Sequence, residues 1–376
     1  MDELSAEYYE KTVKPEMEQR ERMKKKFMFL IKLTVAVCIS LALLSCFCLV
    51  YDYNGCSIHN ATGATDYKRK PFQFTTNMEE GFCFKRADQY GFYNTEQAVA
   101  DHPQILLMGS SHMEADQMRN EENVGALLGE YFTTFNMGLS GDFICPCIAR
   151  MDAAVQTYQP TDFVILETFT CHPDLEEMRK TIDEPVTSTG ERSHFLEAVS
   201  TYCPSIVNLY YALQNWYNAG KIESSPRKQY TEPDGVNIEN NTPVSEEEFH
   251  FSEEDIKNDG YASTLDELIQ KAVLPVKQNG NRLIIFYHPG LEINPDGTVK
   301  EENLEEKKEI ALFQQVCENN DVIFADMTDA FTEFYQKEHQ LPNGFWNTAV
   351  GKGHLNKDGH RVIADVLIQL LEERGL

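Results

Sequence analysis

Short apolar runs alternate with longer amphipathic segments from residue 104 to the end of the chain. The apolar runs are Ile105–Met108, Thr133–Met137, Asp162–Glu167, Arg282–Tyr287 and Val322–Asp326. Such runs, four to six residues long, are typical of strands buried on both faces of a parallel sheet. Parallel strands need crossover connections, which are usually helices. The pattern therefore predicts a flavodoxin-like three-layer α/β/α sandwich with about five parallel strands.

The helices predicted between and after these strands cover residues 113–129, 142–158, 264–278, 302–319 and 357–374. The alternation fails at about 172–260, which is interpreted as an insertion with one helix near 194–219. Residues 52–103 have little periodicity but many aromatic residues, which favours a stalk that packs onto the domain. The predicted domain is residues 104–376.

One segment is apolar and long enough to span a bilayer. It runs from Phe27 to Tyr51 and is interrupted only by Lys32. Lys24–Lys26 precede it, whereas Asp52 follows it, so the positive-inside rule places residues 1–26 in the cytoplasm and the domain outside. The run is too long and starts too late for a cleaved signal peptide. We therefore expect a single-pass anchor at residues 27–51.

The net charge of the chain is −27, and the first 32 residues contribute almost nothing to it. An acidic domain of this kind argues against a nucleic-acid partner. The chain has neither a Gly-x-Gly-x-x-Gly nor a Gly-Lys-Ser/Thr loop, so no nucleotide cofactor is expected. No metal is expected either, since Cys145 and Cys147 lack a second cysteine pair and the histidines lack tight ligand spacing.

The stretch that carries chemistry is the turn Gly109-Ser110-Ser111-His112 after the first strand of the sandwich. This turn is predicted at the carboxyl edge of the sheet, where open α/β folds bind ligands. A serine hydroxyl there would lie near a helix N-terminus, which favours a developing oxyanion. A serine nucleophile also needs a histidine base. His354, in a glycine-rich loop before the last helix, is predicted at the same edge.

Three blocks of the sequence together resemble the SGNH (GDSL-type) hydrolase superfamily. They are Gly109-Ser110-Ser111, Asn136-Met137-Gly138 and His354-Leu355-Asn356-Lys357-Asp358-Gly359-His360. The resemblance covers roughly residues 104–374 without the insertion. With its N-terminal anchor, the chain looks most like extracytoplasmic members that accompany membrane-bound O-acyltransferases, such as the lipoteichoic-acid D-alanylation protein.

The resemblance implies that Ser111 is the nucleophile and His354 the general base. Ser110 occupies the neighbouring position of the first block and is the alternative serine. His112 is the alternative base, although it would leave the turn in a different direction. The resemblance further implies an oxyanion hole formed by the backbone N–H groups of Ser111 and Gly138.

Two residues of the superfamily pattern are missing. The acid normally lies three residues before the histidine, where this chain has Gly351. Asp358, Asp326 and Glu167 are candidate orienting acids, and a dyad held by a backbone carbonyl is the alternative. The oxyanion asparagine of the third block is also absent, and the Thr168 hydroxyl is the candidate replacement.

The expected function is that of a membrane-anchored serine esterase or O-acyltransferase on the outer face of a bacterial plasma membrane. It would act on acyl esters of cell-wall or exopolysaccharide glycan through an acyl-serine intermediate, beside a membrane-bound O-acyltransferase. The alternative is a catalytically silent SGNH-like domain that binds glycan or scaffolds such a complex. The missing acid and asparagine favour this alternative.

Overall fold

The computed structural model describes residues 8–48, 51–53, 71–77, 80–183, 251–294, 296–300, 302–349 and 351–376, together with positions 205, 209, 210, 213 and 249. Most of the helix predicted at 194–219 lies outside the described residues.

The described strands form two sheets. Their bounds are β1 Tyr51–Tyr53, β2 Phe74–Asn77, β3 Cys83–Arg86, β4 Ile105–Met108, β5 Thr134–Asn136, β6 Phe163–Thr168, β7 Arg282–Tyr287 and β8 Ile323–Asp326. The larger sheet has the order β5-β4-β6-β7-β8, and all its neighbouring strands are parallel. This confirms the predicted flavodoxin-like sheet of five parallel strands.

The described α-helices are α1 Lys14–Cys48, α2 Ser111–Glu114, α3 Val124–Leu128, α4 Ile144–Tyr158, α5 Leu175–Asp183, α6 Glu253–Asn258, α7 Gly260–Gln278, α8 Leu304–Asn319, α9 Thr328–Glu338 and α10 Lys357–Glu373. Each face of the parallel sheet has its own apolar core. Leu106 and Met108 face a core with α4, α7 and α8, whereas Ile105 and Leu107 face one with α3, α9 and α10. Alternate residues of β4 thus pack on opposite helical layers.

The helix predicted at 113–129 is wrong, because the chain there is broken into α2, a 3₁₀ turn and α3. The short α2 ends at Ala115, whose φ is 51°. The Lys85 ammonium donates hydrogen bonds to the carbonyl oxygens of Ala115 at 2.5 Å and Met118 at 3.1 Å, which stabilises the break. Asn123 then caps α3 by accepting a hydrogen bond from the Ala126 N–H at 2.9 Å. Helices α5, α6 and α9 were not predicted by the pattern.

The N-terminal helical stretch Lys11–Phe47, which includes most of α1, is long and apolar enough to cross a membrane. Its most apolar window has a mean hydropathy of 2.5, and none of that window is buried against the rest of the protein. The predicted span at 27–51 falls largely within this stretch.

Apart from Tyr51, the smaller sheet lies within residues 52–103, the segment predicted as a stalk. Strand β1 pairs with β2 in parallel, and β2 forms an antiparallel hairpin with β3. The hairpin contacts the segment that follows α2, since Asn77 Nδ2 donates to Asp116 Oδ2 at 3.1 Å. This sheet carries part of the candidate site.

Candidate active site

Ser111 begins α2, directly after the turn that follows β4. His354 lies on the loop that precedes α10, and its Nε2 is 2.8 Å from Ser111 Oγ. The two residues are 243 positions apart in the chain. The fold therefore brings together, at hydrogen-bond distance, the two side chains that the sequence predicts as nucleophile and base.

The carboxylate behind the imidazole belongs to Glu80. Its Oε2 lies 2.9 Å from His354 Nδ1 and also accepts the backbone N–H of His354 at 2.9 Å. Because a carboxylate only accepts hydrogen bonds, the network assigns the ring proton to Nδ1. Nε2 is then free to accept the Ser111 hydroxyl proton. Ser111, His354 and Glu80 form a hydrogen-bonded row in the order that a catalytic triad requires.

Glycines allow the Glu80 hairpin and the His354 loop to approach each other. Gly81 has a φ of +67°, and its N–H donates to Asn347 Oδ1 at 2.6 Å. Gly353 has a φ of +106°, and a Cβ added there would lie 2.7 Å from Glu80 Oε2. Any larger residue at position 353 would push the carboxylate away from the imidazole.

Glu167 lies on the other side of the nucleophile turn. Its Oε2 accepts the Ser110 N–H at 2.6 Å, and its Oε1 accepts the Ser110 hydroxyl at 3.1 Å. Oε1 also lies 2.8 Å from Nε2 of buried His288. A Cβ added at Gly109 would lie 2.7 Å from Glu167 Oε2, so glycine is needed there. Glu167 thus holds the turn before Ser111, and its partners are Ser110 and His288, whereas His354 pairs with Glu80.

The other two predicted acids also have different partners. Asp326 accepts hydrogen bonds from the backbone N–H of Thr328 at 2.8 Å and from its hydroxyl at 2.6 Å. Burial raises the pKa of Asp326. Asp358, in the first turn of α10, pairs with Arg361 at 3.1 Å. The prediction of Asp358, Asp326 or Glu167 as the orienting acid is corrected to Glu80.

The His112 ring is hydrogen-bonded to the His354 loop and not to Ser111. Its Nδ1 accepts the backbone N–H of Leu355 at 3.2 Å, and its ring centroid lies 4.9 Å from that of His354. Burial, reinforced by the neighbouring histidines, lowers the pKa of His112 far below its ordinary value. A neutral His112 therefore stabilises the His354 loop by accepting the Leu355 N–H.

His360 has a comparable structural role in α10. It is fully buried, and its Nδ1 accepts the backbone N–H of Val124 at 3.1 Å, at the start of α3. Burial lowers the pKa of His360 to about 3. Within the described part of the chain, no group of three His, Cys, Asp or Glu side chains is arranged to hold a metal ion.

The three predicted oxyanion donors differ in availability. The Gly138 N–H donates to Asn136 Oδ1 at 2.9 Å, and the Thr168 hydroxyl donates to the Thr170 carbonyl at 2.7 Å. Both are therefore engaged within the protein. Ser111 occupies the first position of α2, where a backbone N–H has no partner in its own helix, and it has no acceptor among the described residues. The Ser111 N–H is the predicted donor that remains available.

Glu80 is the one residue of the hydrogen-bonded row with Ser111 and His354 that the sequence does not predict. The stretch from Phe72 to Arg86 does carry a hairpin signal, since apolar residues at alternate positions flank Glu80-Gly81. The signal predicts a turn with an acid in it. It does not predict that this turn reaches a loop more than 270 positions later.

Comparisons with known proteins give low overall similarity. No protein-family model and no curated protein sequence matches the chain. Among solved structures, an acetyl xylan esterase is 12% identical, with 71% of this chain and 98% of that chain covered and a TM-score of 0.37. A putative acylhydrolase from Bacteroides fragilis is 11% identical, with 75% and 95% covered and a TM-score of 0.35. A protein from Lactobacillus plantarum is 13% identical, with 74% and 100% covered and a TM-score of 0.36.

Proposed function

We propose that this chain is a membrane-anchored serine esterase or O-acyltransferase that works through an acyl-Ser111 intermediate. The observation that carries the proposal is the row of hydrogen bonds from Ser111 through His354 to Glu80. This row supplies the nucleophile, base and orienting acid that acyl transfer from an ester needs.

In the first half-reaction, Ser111 Oγ attacks the ester carbonyl carbon while His354 Nε2 takes the hydroxyl proton. The Ser111 N–H stabilises the negative oxygen of the tetrahedral intermediate. The Glu80 carboxylate stabilises the imidazolium that has formed. The carbon–oxygen bond to the leaving alcohol then breaks, the imidazolium returns its proton to that oxygen, and the acyl group remains on Ser111.

In the second half-reaction, an acceptor hydroxyl or water attacks the acyl carbon. His354 Nε2 takes the acceptor's proton and returns it to Ser111 Oγ as the acyl bond breaks. Hydrolysis and transfer differ only in the molecule that attacks. The apolar N-terminal helix supports transfer, since an anchored domain beside a membrane-bound O-acyltransferase could pass acyl groups to cell-wall or exopolysaccharide glycan.

A second candidate function is that of a catalytically silent domain that binds glycan or scaffolds an acyltransferase complex. The observation in its favour is that Gly138 and Thr168 donate to acceptors within the protein. An oxyanion donor is typically worth about 3–4 kcal/mol of transition-state stabilisation. A site left with one backbone donor would be a slow catalyst or none.

Two assays on the full chain in detergent micelles distinguish the serine enzyme from the silent domain. One is covalent labelling with a fluorophosphonate, and the other is hydrolysis of p-nitrophenyl acetate. We expect Ser111→Ala to abolish labelling and turnover, and His354→Ala to abolish turnover. Ser110→Ala is the matched control at the neighbouring serine. Its hydroxyl binds Glu167 and caps α2, so its removal should reduce turnover but retain the fluorophosphonate label on Ser111. A folded wild-type chain without label or turnover would favour the silent domain. Equal loss of the label in Ser110→Ala would contradict the assignment of Ser111.

A further inference from the structure

The small sheet has two faces of different chemistry. The inner face packs on the domain through Thr75, Cys83 and Lys85, all of which are buried. Thr75 Oγ1 lies 2.6 Å from the Tyr93 hydroxyl, and the Lys85 ammonium lies 3.6 Å from the centroid of the same ring. The inner face is therefore fixed to the domain, and the outer face is directed away from it.

The outer face is aromatic and exposed. Phe74 and Phe84 stack with ring centroids 5.3 Å apart, and Tyr51 lies 6.4 Å from Phe84. The side chain of Phe84 is 55% exposed. The Arg86 guanidinium lies at the edge of this row, 5.5 Å from the Phe74 ring. We refer to Tyr51, Phe74, Phe84 and Arg86 as the aromatic face.

The aromatic face is continuous with the apolar helix. The ring of Phe47, in the last turn of α1, lies 4.9 Å from that of Tyr51. The parallel register pairs Tyr51 with Phe74, so β2 begins beside the end of the helix. Aromatic rings with a cationic side chain, directly beyond an apolar span, have the composition typical of a membrane–water interface.

We propose that the aromatic face lies in the headgroup region of the bilayer and holds the candidate active site at the membrane surface. This inference rests on the proposed function, in which α1 spans the membrane. A further contact lies near the same end of the helix, where Ser205 Oγ is 2.7 Å from Ser45 Oγ of α1.

The candidate active site lies close to the aromatic face, because Glu80 belongs to the same sheet. Glu80 lies in the β2–β3 hairpin, six residues beyond Phe74 of the aromatic face. At about 3.3 Å per extended residue, that separation is at most roughly 20 Å. Lys85 of the same sheet bonds the carbonyl of Ala115 at the end of α2, the helix that Ser111 begins. If the aromatic face lies in the headgroup region, the site is near the membrane surface, so we infer that its acyl donor is a membrane-bound molecule.

The test uses the full chain in liposomes that contain phosphatidylcholine brominated near the glycerol end of its acyl chains. Trp216 and Trp346, the two native tryptophans, are replaced by phenylalanine. Phe84→Trp then reports on the aromatic face. Tyr131→Trp is the matched control. Tyr131 is 61% exposed and precedes β5, so it lies at the amino ends of the parallel strands, whereas Ser111 lies at their carboxyl ends.

We expect brominated lipid to quench the fluorescence of Phe84→Trp at least twofold and to leave Tyr131→Trp unchanged. An unquenched Phe84→Trp, or equal quenching of both variants, would overturn the inference. Turnover of p-nitrophenyl acetate and resistance to carbonate extraction are measured in the same liposomes. An active, anchored but unquenched protein would contradict only the aromatic face, whereas a chain that carbonate extracts would overturn the anchor and this inference together.

Discussion

Glu80 Oε2 accepts two hydrogen bonds from His354, one from the ring Nδ1–H and one from the backbone N–H, each 2.9 Å long. One carboxylate oxygen therefore fixes both the tautomer of the imidazole and the position of the loop that carries it. One hydrogen bond to the ring alone would let the side chain move with its loop. The two hydrogen bonds together hold His354 Nε2 toward Ser111.

Replacement of Glu80 should reduce turnover without unfolding the protein. In Glu80→Gln, the negative charge that stabilises the His354 imidazolium is lost. We expect p-nitrophenyl acetate turnover to fall roughly 10²- to 10⁴-fold, the range seen for general-base and triad-acid substitutions. Steady-state kinetics measures the fall, and the far-ultraviolet circular dichroism spectrum should stay unchanged.

Asp358→Asn is the control for this experiment, since the sequence also predicts Asp358 as a candidate acid. Its partner is the half-exposed Arg361, and a surface ion pair contributes at most about 1 kcal/mol to stability. Turnover in Asp358→Asn should remain near the wild-type value. A larger loss in Asp358→Asn than in Glu80→Gln would contradict the triad.

The parallel sheet and the serine–histidine pair could be predicted because their signals are local. Strand β4 has four apolar residues in a row, and its burial on both faces follows from that pattern. Ser111 and His354 each follow a recognisable turn at one sheet edge. The orienting acid depends on a contact between segments 274 residues apart. No local pattern around Glu80 distinguishes it from the many other acidic residues of the chain.

The broken helix after Ser111 shows a second limit of the pattern. Apolar periodicity continues from Met113 to Gly129, but Ala115 adopts a left-handed conformation. The buried Lys85 ammonium binds the carbonyls freed at this break. Lys85, in the smaller sheet, thus stabilises the end of α2. The apolar periodicity of residues 113–129 does not reveal this contact.

Gly109→Ala should destabilise the protein through steric overlap. An added Cβ would lie 2.5 Å from Met113 Cγ and 2.7 Å from Glu167 Oε2, both buried. Overpacking of this kind costs about 1–3 kcal/mol of unfolding free energy. Urea denaturation of the full chain in micelles measures it. Gly290→Ala, where nothing lies within 4 Å of the added Cβ, should change stability by less than about 0.5 kcal/mol.

Glu167→Gln should lower both stability and turnover. The carboxylate accepts three hydrogen bonds, from the Ser110 N–H, the Ser110 hydroxyl and His288 Nε2. An amide NH₂ cannot accept, so at least one buried donor loses its partner, at a cost of about 1–3 kcal/mol. The unfolding free energy should fall by that amount. The exposed Glu176→Gln serves as the control, and an equal loss there would contradict the role of Glu167.

The buried histidines should make the protein less stable in acid. The pKa of His360 is lowered to about 3 in the folded state, against about 6.5 in the unfolded chain. Between these values the unfolded chain binds a proton that the folded protein does not, so the unfolding free energy falls as pH falls below about 6.5. The slope is about 1.4 kcal/mol per pH unit for each such histidine. His112, whose pKa is lowered by burial as well, adds a slope of the same sign.

His360→Asn isolates one of these protons, because the amide oxygen can still accept the Val124 N–H while the titrating ring is removed. Urea denaturation between pH 6 and pH 4 should show a dependence of the unfolding free energy shallower by about 1.4 kcal/mol per pH unit. An unchanged slope in His360→Asn would mean that His360 takes up a proton equally in the folded and unfolded states. That result would contradict a neutral ring whose Nδ1 accepts the Val124 N–H.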